Sequence, residues 1–281
     1  MKAITARGLI IALAAALWLA AGHQAGALEG YKLLKLDGYF VKWGDSALGS
    51  GATVTYALVH RQSRFVGARN CAGMRPVEPL LSRIKLPSKR FMAEVETAFA
   101  LWSKAANINF TPAADAADAD ILIGLQTEPR GRAFTNVSYV RQGAEGARRI
   151  DRSLICLNPR QPWKVGFDGD IEVYDLRYTL AHEIGHAIGL DHPAVMGQLM
   201  GFRYEENFRG PQQGDIGGAV ALYGARPSTT AFGLAQAAAP RPGRVPRARA
   251  QGGEDGQPEL SLGQSSAPEP PIRHPFSFDR P

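Results

Sequence analysis

Three of the chain's six histidines fall within the segment His182-Glu183-Ile184-Gly185-His186-Ala187-Ile188-Gly189-Leu190-Asp191-His192. On a helix, His182 and His186 stand one turn apart on the same face, so both imidazoles can reach one ion. A third ligand on the same straight helix would point away. Gly189 can take positive φ at little cost, so it is expected to end the helix and let His192 approach from outside. Three neutral imidazoles with a fourth position open form the catalytic rather than the structural zinc pattern. Glu183 directly follows the first ligand, where its carboxylate can contact a zinc-bound water without being a ligand and act as general base. Five fixed positions recur by chance on the order of 10⁻⁴ in a chain this long, so two core histidines beside a surface one is the weaker reading.

These residues need elements to position them. Leu180, Ile184, Ala187 and Ile188 form the apolar stripe that buries their helix, expected from about Glu172 to Ile188 with Asp170 as cap. Phe91, Val95, Ala98, Phe99, Trp102 and Ala106 recur at helical spacing and predict a helix over 89–106, with Ser88 as cap. A third helix is expected from Gln212 to Tyr223. Strands are expected at Thr53–Val59, Ile108–Thr111, Ile121–Leu125, Asn136–Arg141 and Ser153–Leu157, with a long loop from His60 to Pro87. Five strands interrupted by one helix and followed by two more read as an α+β domain.

The ends read differently. Lys2 and Arg7 precede an apolar run from Leu9 to Ala21, and Ala25-Gly26-Ala27 follows as a small-x-small cleavage site. Residues 1–27 are therefore expected to be a secretory signal peptide, and the protein to be exported to the periplasm or outside the cell. Ten of the 19 prolines lie in residues 225–281, so that stretch is expected to be a disordered tail. A single domain over 28–224 is left. The formal charge of +6 belongs mostly to the two ends, which argues against nucleic acid as a partner. No apolar run beyond the leader reaches the roughly 20 residues of a membrane span, and a monomer without stable membrane insertion is expected. Export gives the two cysteines meaning: Cys71 and Cys156 are expected to pair as a disulfide. The other readings are Cys71 as a thiolate blocking a metal, or two inert buried thiols.

His182 to His192 resembles the long zinc signature of the metzincin metallopeptidases, and the chain is most similar to the matrixins within them. Leu199-Met200 resembles their Met-turn, Gly214-Asp215-Ile216 through Leu222-Tyr223-Gly224 their closing helix, and Lys42-Trp43-Gly44 with Val54-Thr55-Tyr56 their opening strand. Val95, Ala98-Phe99 and Trp102-Ser103 resemble their first helix. The resemblance spans roughly 35–224 and implies a mixed, mostly parallel five-stranded sheet with three helices. It also implies a substrate-pairing edge strand near Asn136–Arg141 and a pocket walled by Phe202 and Tyr204. Asp120 matches a family calcium ligand, so calcium is a second implied cofactor. There are departures. The Pro-Arg-Cys-Gly switch is absent from the sequence, Gly214 replaces the first acid of the closing helix, and 124–140 holds no histidine, so one zinc is expected rather than two. Serralysins share His-Glu-Ile-Gly-His and a proline at 193, but their glycine- and aspartate-rich repeats are missing.

The function implied is a zinc-dependent endopeptidase acting on internal peptide bonds of a protein or peptide. Two alternatives stand beside it: a zinc amide hydrolase acting on cell-wall cross-links, and a catalytically silent zinc-containing binding protein.

Overall fold

The computed structural model describes residues 30–141 and 146–227. The expected signal peptide and nearly all of the expected tail lie outside the described residues. The chain begins with short strands β1 (Lys32–Leu33), β2 (Lys35–Leu36) and β3 (Tyr39–Lys42), followed by β4 (Ala52–Leu58). Then come β5 (Ser63–Arg64), β6 (Gly73–Arg75), helix α1 (Glu78–Arg83), helix α2 (Ser88–Ala105) and β7 (Ile108–Pro112). A 3₁₀ turn precedes β8 (Ile121–Gln126), β9 (Ala133–Tyr139), β10 (Arg148–Leu157), β11 (Trp163–Lys164) and β12 (Tyr174–Asp175). Helix α3 (Leu176–Ala187), β13 (Leu190–Asp191) and helix α4 (Gln213–Tyr223) follow.

The five long strands lie in the order β9-β10-β8-β4-β7, with every pair parallel except β9 against β10. This is the α+β architecture with a mixed, mostly parallel sheet. Short strands extend it: β3 pairs with β10, β2 with β3, and the hairpin β5–β6 with β8. Strand β8 is buried along its whole length, as a continuous apolar run covered on both faces requires. Ile121, Ile123 and Leu125 enter the main core with the helices, whereas Leu122 joins a second cluster containing Val59, Phe65, Met74, Phe134 and Leu154.

That second cluster corrects the loop expected over 60–87. The segment carries the β5–β6 hairpin, which with the chain around Cys71 covers the sheet face opposite the long helices, and α1, whose Leu80 and Leu81 join the main core. Its pieces are too short for periodicity to reveal. The Cys71–Cys156 disulfide, with Cα atoms 5.7 Å apart, pins this covering layer to β10. Neither sulfur is left to ligate a metal. Four α-helices are therefore found among the described residues where three were expected.

Helix α2 buries Phe91, Val95, Ala98, Phe99 and Trp102 against the sheet and α3. It starts at Ser88 itself, with Pro87 as the cap residue. Helix α3 starts later than expected. Asp170 is spent in a turn, accepting from the Glu172 amide, and Asp175 is the cap, accepting from the Tyr178 amide at 2.8 Å. Eleven of the twelve α3 residues are buried, so this helix runs through the centre of the domain rather than along its surface.

Candidate metal centre

Because α3 is central, His182 and His186 are fully buried, and His192 comes to them from beyond the helix end. Gly189 makes the turn with φ +103°. A Cβ there would stand 2.2 Å from the Val41 carbonyl oxygen, so the position excludes a side chain on steric as well as conformational grounds. The chain then continues as β13, which pairs with β1, and an ion pair of 2.6 Å joins Lys32 to Asp191. Asp191 also accepts from the His192 amide at 2.7 Å.

The three Nε2 atoms converge. They lie 3.1, 3.1 and 3.2 Å from one another. The Nδ1 atoms of His182 and His186 face the carbonyl oxygens of Leu199 and Leu190 at 2.7 and 2.8 Å. A carbonyl only accepts, so both neutral rings carry their proton on Nδ1 and turn an Nε2 lone pair toward the common point. Lone pairs facing each other at this range repel unless a cation lies among them. Tetrahedral zinc with Zn–N of about 2.0–2.1 Å sets its nitrogens about 3.3–3.4 Å apart, so the donor set fits that ion. Among the described residues this is the one group of three His, Cys, Asp or Glu side chains so arranged.

Electrostatics agree. Burial, reinforced by the neighbouring imidazoles, holds His182 and His186 well below the ordinary 6.5, and burial lowers His192 to about 4. All three are therefore neutral and ready to ligate at physiological pH.

A layer behind the histidines fixes them. The buried Asp215 carboxylate accepts from the amides of Leu199 at 2.7 Å, Met200 at 3.0 Å and Gln212 at 2.7 Å. It thereby holds the turn whose Leu199 carbonyl orients His182. Met200 lies buried beneath α3 at Gly185, where a Cβ would approach its sulfur to 2.2 Å and the Trp102 ring to 2.8 Å.

Glu183 is buried on the same helix. Thr135 Oγ1 on β9 lies 2.6 Å from its Oε2 and 3.0 Å from its main-chain oxygen. Burial pushes the Glu183 carboxyl up to about 8, opposed by the Thr135 hydrogen bond and the positive charge of Arg132. The Arg132 guanidinium is itself buried, stacked 3.5 Å from the Tyr174 ring centre and 5.3 Å from that of Tyr204.

The remaining expected residues divide. Phe202 is exposed and sets its ring edge-on to His192, with centroids 5.2 Å apart. Tyr204 packs edge-on against Tyr174 and Tyr178; its hydroxyl donates to Glu206 at 2.6 Å and accepts from the Asp175 amide at 3.0 Å. It thus braces the start of α3. Asp120 Oδ2 accepts from the amide and hydroxyl of Thr55, both at 2.8 Å, and so ties the start of β8 to β4. It belongs to no cluster of three metal-capable side chains among the described residues. Sequence reasoning missed Thr135, Arg132 and the function of Asp215. Asp215 was visible only as part of a helix, and a threonine in a strand looks like any β-branched residue.

The sequence profile described as Matrixin matches residues 80–224. An interstitial collagenase from Equus caballus is 32% identical over 148 residues, covering 50% of this chain and 29% of the collagenase. The chain thus spans under a third of that relative's length. With the profile matched over the whole stretch from α1 to the end of α4, the chain belongs to the matrixin family of zinc metallopeptidases.

Proposed function

We propose that the protein is an exported zinc endopeptidase that hydrolyses internal peptide bonds. The convergence of three unprotonated Nε2 atoms within 3.2 Å, with a buried carboxylate on the same helix, carries this reading. His182, His186 and His192 would hold the ion. When bound, zinc supplies Lewis-acid activation of water and of the scissile carbonyl. Glu183, held ionised by the charge of the bound ion against the burial that raises its carboxyl to about 8 in the metal-free site, would take the proton of the attacking water and return it to the departing amine. Among the described residues strand β9 pairs on one side only, with β10, which leaves an edge on which an extended substrate can add as a further strand. Phe202, beside His192, lines the approach to the ion.

The proposed arrangement along the chain is a signal peptide over 1–27, the catalytic domain over 28–224 and a tail over 225–281. No helix among the described residues is long and apolar enough to cross a membrane. Matrixins are typically secreted, which supports export. The reading is tested by incubating the mature protein with a peptide library, with and without chelator. Cleavage that chelation abolishes and zinc restores is expected; chelator-insensitive cleavage would overturn it.

A further inference from the structure

General-base chemistry needs a carboxylate already aimed when the water attacks, but a glutamate side chain has three rotatable bonds. Burial alone does not choose among its rotamers. Thr135 supplies the choice. Its one hydroxyl proton is donated to Glu183 Oε2 at 2.6 Å, with the main-chain oxygen of the same residue 3.0 Å away, so it holds the tip of the side chain beside its own backbone. Thr135 is fully buried, and its backbone is registered against Ile155 in the β9–β10 ladder. Its χ1 is stiff because the residue is β-branched. The hydroxyl is therefore held by the sheet, and it transmits the sheet's position to a carboxylate on the central helix.

Resting on the zinc-peptidase reading above, we propose that Thr135 is a positioning residue that locks the Glu183 carboxylate in one rotamer, coupling the edge strand β9 to the general base. A residue that only filled space here would act on stability; one that aims the base acts on turnover. The same strand offers the free edge, so substrate pairing and base alignment share one element.

The test compares Thr135→Val, close in shape but without the hydroxyl, with Thr135→Ser, which keeps it. A hydrogen bond to a charged group corresponds to a loss of about 10- to 100-fold in kcat for Thr135→Val, with KM and zinc content little changed. Thr135→Ser should recover most of that loss. Thr135→Ala, which introduces no new bulk, reads the same loss should the valine variant fold poorly. Wild-type kcat in the folded hydroxyl-free variants, or equal loss in Thr135→Ser, overturns the proposal. Crystals of zinc-free Thr135→Val or Thr135→Ala give a readout independent of activity: the Glu183 carboxylate is expected to leave its position or spread over several rotamers. A single, unmoved carboxylate overturns the proposal whatever the kinetics. Wild-type protein without chelator-sensitive hydrolysis would instead remove the zinc-peptidase reading, while the crystallographic arm would still decide whether Thr135 holds the carboxylate.

Discussion

At the residue scale, the proposed metal centre is an arrangement of proton positions as much as of distances. Carbonyls at Leu199 and Leu190 place the imidazole protons on Nδ1, and burial keeps a second proton away from Nε2. This has a pH consequence for the metal-free protein. The folded-state pKa values of all three histidines lie below 6.5, with His192 at about 4. As pH falls below 6.5 the unfolded chain binds protons that the folded chain refuses, so their contribution is full above that value and declines as pH drops, that of His192 being lost through about pH 4. Glu183, raised to about 8, acts oppositely: its contribution is full below 4.5 and lost as pH rises through 8. The comparison is therefore with a variant carrying glutamine at 182, 186 and 192. In urea melts with chelator, the stability of wild type relative to that variant should fall from pH 7 to pH 5. A constant difference would contradict the assignment. The histidines, Glu183 and Gly189 were legible in the sequence because their relation is local, fixed by the pitch of one helix and one turn. Thr135 was not, because its partner lies 48 positions away and only the packing of β9 on α3 joins them.

At the element scale, two devices aim the ligands: the Gly189 turn and the Asp215 bracket. Gly189→Ala must place a side chain at φ +103° and against the Val41 carbonyl oxygen, and should destabilise the protein by at least about 2 kcal/mol. Because β13 leads from this turn directly into His192, zinc affinity should fall in the same variant, as a competition titration with a chromogenic chelator would read. Asp215→Ala strips three backbone amides of their acceptor and frees the Leu199 carbonyl from its bracket. It should cost about 3 kcal/mol and weaken zinc binding by roughly 10- to 100-fold, in the manner of outer-shell partners. Unchanged affinity in a folded Asp215→Ala variant would show that the bracket serves the turn alone. The long amphipathic helix α2 and the long strands were readable because their periodicities run over many residues. The start of α3 was not: Asp170 and Asp175 are both credible caps, and the pairing of β12 with β11 decides between them.

At the scale of the whole molecule, the sheet is enclosed between the long helices and the layer formed by β5, β6 and the chain around Cys71. That layer has few long apolar runs of its own, and the disulfide fastens it across a separation of 85 residues. A loop of that length predicts a loss of about 4.5 kcal/mol in the Cys71→Ala/Cys156→Ala variant, read as a lower midpoint in denaturant. The α+β class followed from the order of strands and helices, whereas the covering layer became visible only when the fold brought distant short segments onto one sheet face. The account as a whole stands on one pairing of functions, zinc held by the three histidines and proton transfer by Glu183. Its most direct test is Glu183→Ala, measured for zinc content and for peptide hydrolysis in the same preparation. The variant is expected to bind one zinc as the wild type does and to lose hydrolysis; turnover comparable to wild type at equal zinc content would contradict the account.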